Sequence, residues 1–111
     1  MVVGHVLLKN LNHMMSHGEI GYGISEAHQG RGLASLAVAQ FVAKIFRETA
    51  LRKLIAIVHE KNEASCKLLE RIGFKREGLL REHHLINGLP TNQVFFGLLR
   101  KDLEIKLKTG V

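Results

Sequence analysis

The chain has 111 residues, a formal net charge of +6, 46% hydrophobic residues and 23% charged ones. That length supports one domain, 1–111, with one modest core. Its single cysteine, Cys66, excludes an internal disulfide and suits a reducing, cytoplasmic setting. No apolar run approaches the ~20 residues of a membrane span. The opening MVVGHVLLKN has no basic region leading into a long apolar stretch, so no secretion signal is expected. The positive charge suits an anionic partner such as a phosphorylated cofactor. The basic residues are scattered, however, and 5% aromatics is too few for a base-stacking platform, which makes nucleic acid a weak candidate.

Residues 2–9 (VVGHVLLK) are apolar and β-branched and read as a strand. NLNHMMSHG is then a polar turn region. Residues 19–25 (EIGYGIS) alternate, with Ile20, Tyr22 and Ile24 on one side of a second strand. Gly21 and Gly23 weaken it and suggest a bulge or a backbone that something approaches closely. From Leu33 to about Thr49, Val38, Phe41, Val42 and Ile45 mark one face of a helix. Leu54–Val58 reads as a buried strand. Asn62 is a good N-cap for a second helix with Ser65, Leu68, Leu69 and Ile72 on one face, and Gly73 ends it. A further strand from Phe74, a turn at NGLPTN and a final strand, QVFFGLLRK, follow. Residues 102–111 read as a charged, frayed tail. The expected order is β-β-α-β-α-β-β, an α/β (α+β) mixed sheet whose central strand–helix–strand unit is parallel with a right-handed crossover. The last two strands suit an antiparallel hairpin.

The hexapeptide QGRGLA, residues 29–34, stands at the junction of the second strand and the first helix. Free N–H groups and the positive end of a helix dipole make such a junction an anion site. Leu33 and Ala34 replace the Lys and Ser/Thr of a nucleoside-triphosphate loop, so that reading fails. A dinucleotide fingerprint, with Glu60 as its acid, lacks the third glycine. Alone, the hexapeptide leaves a phosphate cradle and a plain glycine turn both open.

Taken with EIGYGI before it, and with NEAS, LLERIGF and REHHLING after it, the hexapeptide resembles the GNAT superfamily of acyl-CoA N-acyltransferases. Within that superfamily the likeness is greatest to the ribosomal-protein-alanine acetyltransferase branch. The family's pyrophosphate loop, Q/R-x-x-G-x-G/A, is met by Gln29, Gly32 and Ala34. Its second helix opens N-x-x-S/A and closes G-F, met by Asn62, Ser65, Gly73 and Phe74. The resemblance runs from about Gly4 to about Leu103. It implies acetyl-CoA as cosubstrate, with its pyrophosphate on the backbone of Gly30, Arg31, Gly32, Leu33 and Ala34. It implies pantetheine along the main chain of Tyr22, Gly23, Ile24 and Ser25, and contacts from Asn62 and Ser65 to the pantetheine or sulfur end. Helix capping is a competing role for those last two residues.

Acetyl transfer needs a neutral amine, a stabilised oxyanion and a proton for the departing thiolate. A peptide α-amino group, pKa ~8, is roughly a tenth neutral at pH 7, whereas a lysine-like amine, pKa ~10.4, needs about 3 kcal/mol more help. Glu19, at the head of the motif strand, and Glu82, His83 and His84 in REHHLING are base candidates. Adjacent strand positions point to opposite faces, so only one of His83 and His84 can enter the site. Many family members carry a tyrosine four positions before the Gly-Phe pair as proton donor. Here Leu69 stands there, leaving Ser65 or water for that role. Cys66 lies near a helix opening whose dipole favours thiolate, though packing is the simpler role for it. His13 and His17 are four apart in an expected loop with no Cys beside them, so no metal site is expected.

Typical family members begin with a strand, two helices and another strand that are not seen here, which reads as a shortened domain. Such a chain could pair with a second copy through an open sheet edge. The leading expectation is an N-acetyltransferase for a protein N-terminal amine. A small-amine (polyamine or drug) acetyltransferase and a non-catalytic coenzyme A-binding module are the alternatives.

Overall fold

A computed structural model describes residues 4–24 and 33–103. Their order is β1 (Gly4–Asn12), β2 (His17–Ile24), α1 (Leu33–Glu48), β3 (Lys53–His59), α2 (Glu63–Ile72), β4 (Lys75–Ile86) and β5 (Leu89–Leu99). The five strands form one mixed sheet in the order β1-β2-β3-β5-β4. β2 and β3 are parallel, joined through α1, and every other neighbouring pair is antiparallel. The expected element order, parallel unit and terminal hairpin are all present.

α1 buries Val38, Val42, Ile45 and Phe46. Phe46 extends the stripe because it lies four residues after Val42, whereas Phe41 is only half-buried. In α2 the Asn62 side chain accepts from the Ser65 N–H at 3.1 Å, capping the first turn. Gly73, at φ 124°, turns its N–H back to the carbonyls of Leu69 and Glu70 and ends the helix. The two helices pack side by side, and Ile20, Leu54, Ala56, Val94, Phe96 and Leu98 close the core beneath them.

Several details differ from the sequence reading. β1 continues to Asn12, so the first turn shrinks to residues 13–16. Asn10 and Ser16, both at positive φ, absorb the irregularity. Pro90, Thr91 and Asn92 belong to β5, because Asn87 (φ 51°) and Gly88 (φ 78°) suffice to turn the chain with the twist the strands require. β3 is covered on one face only. Leu54 and Ala56 are buried beneath the helices, while Ile55, Ile57 and His59 are half-buried on the opposite, open face. Arg100–Leu103 add a last helical turn, and most of the tail expected over 102–111 lies outside the described residues.

Candidate active site

β2 and β3 pair only at their beginnings. The ladder runs through His17–Lys53, Gly18–Leu54 and Glu19–Ile55, and stops there, although β2 continues to Ile24 and β3 to His59. The two strands part into a slot. Each therefore leaves a row of backbone N–H and C=O groups aimed at the gap rather than at a strand partner. A cavity of about 350 Å³ fills this opening, with Gly21 and Tyr22 of β2, Val58 and His59 of β3, and Asn62 and Ser65 of α2 among its walls.

The slot has two unlike sides. On the helix side, Tyr22 reaches across to the first turn of α2, where its hydroxyl donates to the Ser65 carbonyl at 3.5 Å, the long limit for such a bond. Burial pushes the Tyr22 phenol above its ordinary range, the Ser65 side chain offsetting part of the rise, so it is a neutral O–H at physiological pH. On the open face stand Glu19 and, four residues beyond Ile55 on the other strand, His59. Glu19 accepts from Asn10 Nδ2 at 2.8 Å and lies 3.8 Å from Lys9 Nζ. His59 Nδ1 is buried with no hydrogen-bond partner among the described residues.

Of the expected site residues, Glu19, Tyr22, Asn62 and Ser65 come together around the slot. His84 approaches it by a different route. In β4 a bulge sets Leu80 opposite Gln93 and His84 opposite Thr91, so two extra residues are looped out. Glu82 takes φ 48° there, with its N–H held by Asn92 Oδ1 at 2.8 Å. His84 thereby shares the open face with His59, ring centroids 5.2 Å apart. Glu82 and His83 line a separate pocket at the bulge with Arg81 and Asn92. Gly23 and Ile24 close β2, and Leu33 and Ala34, the last two residues of the expected pyrophosphate loop, open α1. Ser25, Gln29, Gly30, Arg31 and Gly32 lie outside the described residues.

Leu69, at the family's tyrosine position, is fully buried in the core and does not reach the slot. Cys66 is 2% exposed, and burial pushes its thiol pKa up, with Arg76 offsetting part of the rise, so the residue packs. Among the described residues no three His, Cys, Asp or Glu side chains converge. No helix among them is long and apolar enough to cross a membrane. His59 escaped the sequence reading because, as the last residue of an apolar strand, its sequence context gives no sign of the slot it borders.

Comparison with known proteins agrees with this geometry. Residues 1–75 match the family model described as an acetyltransferase (GNAT) domain, and the chain belongs to that family. YdaF of Bacillus subtilis, whose name assigns it, unproven, to the ribosomal N-acetyltransferases, is 32% identical over 101 residues, 91% of this chain and 55% of YdaF. The spermidine N(1)-acetyltransferase of Escherichia coli K12 is 34% identical over 91 residues, 82% of this chain and 49% of the enzyme. The crystal structure of a ribosomal-protein-S5-alanine acetyltransferase from Vibrio fischeri superposes with a TM-score of 0.85 at 26% identity, covering 91% of this chain and 56% of that one. The chain thus spans about half the length of the curated relatives it matches.

Proposed function

We propose that the chain forms the acyl-transferring part of an N-acetyltransferase that uses acetyl-CoA and acts on a primary amine. The proposed acceptor class is a protein N-terminal amine of the ribosomal-protein type. The observation that carries this reading is the slot between β2 and β3, with the N-terminus of α2 on one side and an open face on the other. An extended, amide-bearing arm is the natural complement of two strands whose facing backbone groups lack strand partners. Pantetheine has that character, so the residues present fit coenzyme A. Gln29–Ala34 are assigned to its pyrophosphate on the strength of their motif.

Acetyl-CoA supplies an acetyl group already activated as a thioester. The chain's own part is to orient it and manage charge and protons. Backbone N–H groups of the parted segment of β2 lack a β3 partner, and in this reading they hold the developing oxyanion. Ser65 and the neutral Tyr22 hydroxyl stand on the helix side, where a proton is delivered to the departing sulfur. Glu19 stands on the open face, from which the amine approaches, with His84 and Glu82 further out on β4.

A peptide α-amino group suits this site because about a tenth of it is already neutral at pH 7. The likeness to the spermidine enzyme supports a small polyamine as a second reading, which the net charge of +6 disfavours. Calorimetry with acetyl-CoA, followed by a thiol-release assay across peptides with free N-termini and across polyamines, tests all three possibilities. Peptide-dependent release is expected, and Gly32→Trp is expected to abolish binding. Release with spermidine alone would select the second reading. Binding without release for any acceptor would leave a coenzyme A-binding module. Pairing of two copies through an edge strand, β1 or β4, completes the proposal, and a monomer in sedimentation at high concentration would remove that part of it.

A further inference from the structure

The slot holds a polar atom that the foregoing roles leave unused. His59 Nδ1 is buried in its wall and finds no hydrogen-bond partner among the described residues. A native fold seldom leaves a desolvated ring nitrogen without a partner unless water, a ligand or chemistry supplies one. We propose that His59 is the general base that takes the proton from the acceptor ammonium, and that His84 is the positioning residue that passes this proton on to solvent. This rests on the acyl-transfer reading above.

Three observations carry it. First, His59 lies at the mouth of the slot on the open face, opposite the side on which Tyr22 and Ser65 stand. Proton removal from the ammonium and proton delivery to the sulfur are thus assigned to opposite sides of one gap. Second, the other base candidate in the slot, the Glu19 carboxylate, is already engaged. Glu19 lies at the closed end and holds Asn10 and Lys9. Third, the two-residue bulge in β4 brings the exposed ring of His84 to 5.2 Å from that of His59, across the end of β5. An exposed imidazole beside a desolvated one is a short route to bulk water.

Gln93 of β5 pairs with His59 and His84 of β4 lies beside it, while Lys9 from β1, Glu19 and Tyr22 from β2, and Asn62 and Ser65 from α2 line the same cavity. In the step, an N–H bond of the ammonium breaks and its proton goes to His59. The freed nitrogen lone pair forms the bond to the acetyl carbon, the carbon–sulfur bond breaks, and the sulfur takes a proton from the helix-side hydroxyl, which the second proton leaving the nitrogen replaces. The proton on His59 leaves through His84 to water.

The test uses acceptor amines of different basicity with wild type, His59→Gln, His59→Ala and His84→Gln. Acetyl-CoA affinity should be unchanged in His84→Gln, whose residue lies outside the walls of the slot. His59→Gln should lose about 100-fold in turnover with a lysine-like amine and about tenfold with a peptide N-terminus. With an amine already neutral at the assay pH it should lose less than about threefold. Added imidazole should restore turnover to His59→Ala. Independently of turnover, adding the acceptor peptide to protein without acetyl-CoA should shift the ¹⁵N-histidine resonances that vanish in the two single variants, and His84→Gln should move the His59 signal. An equal loss with every amine, or no imidazole rescue, would overturn the assignment. If wild type releases no thiol with any acceptor, the acyl-transfer reading itself fails. The resonance titration then decides separately whether His59 meets an amine, and no shift there overturns the proposal.

Discussion

Tyr22 is the chain's single tyrosine, and no tryptophan is present, so its phenol can be followed without background. It spans the slot to Ser65 through a long hydrogen bond that costs little to release. Tyr22→Phe keeps the ring that packs against the core and removes the hydroxyl. Acetyl-CoA binding should persist, with turnover lowered about tenfold, since Ser65 remains as a donor. An unchanged turnover would assign the proton to Ser65 or water alone. Cys66 and Tyr22 also set an alkaline limit on stability. Burial raises both folded-state pKa values, so the unfolded chain ionises first. From about pH 8.5 for the thiol and about pH 10 for the phenol, it has released more protons than the native state. Stability is therefore fully present below about pH 8.5 and falls as pH rises. A urea midpoint that drops on raising pH, with the earlier part of the drop absent in Cys66→Ala, is the expected result.

At the scale of elements, Arg100 closes the C-terminal end of α1. Its guanidinium donates to the carbonyls of Phe46, Thr49 and Leu51 and lies over the Phe46 ring. Three acceptors met by one planar fork explain why an ammonium would be a poor substitute. Arg100→Ala should cost about 2–3 kcal/mol in denaturant unfolding, and Arg100→Lys should recover only part of that. Gly21 tests the slot rather than the core. A Cβ there would meet only Lys9 at 3.4 Å and Leu7 at 3.7 Å, ordinary contacts, so Gly21→Val should fold normally while its side chain intrudes on the gap. Acetyl-CoA affinity should fall about tenfold or more, with stability changed by less than about 1 kcal/mol. The elements themselves were readable because each is announced locally, by the stripe of α1, by Asn62 and Gly73 around α2, and by Asn87–Gly88 between β4 and β5. The bulge at Glu82 and the early end of the β2–β3 ladder were not readable. Both depend on which strand lies beside which, and no window of sequence states that.

For the whole molecule, the motif order from EIGYGI to REHHLING gave the family, and the parted strands supply a physical reason for the glycines that weaken β2. The site is only partly a property of sequence. Glu19, Tyr22, Asn62 and Ser65 were named from motifs and meet at the slot. His59 enters because the open face of the sheet brings it beside His84. The chain's half-length match to its relatives makes transfer, rather than binding, the claim most in need of measurement. The direct measurement is simultaneous quantification of free coenzyme A and acetylated peptide, using the protein, acetyl-CoA and a peptide with a free N-terminal alanine. The expected result is equal, time-dependent formation of both products, abolished by blocking the peptide's amine. Coenzyme A release that is independent of the peptide, or none despite measured binding of acetyl-CoA, would contradict it.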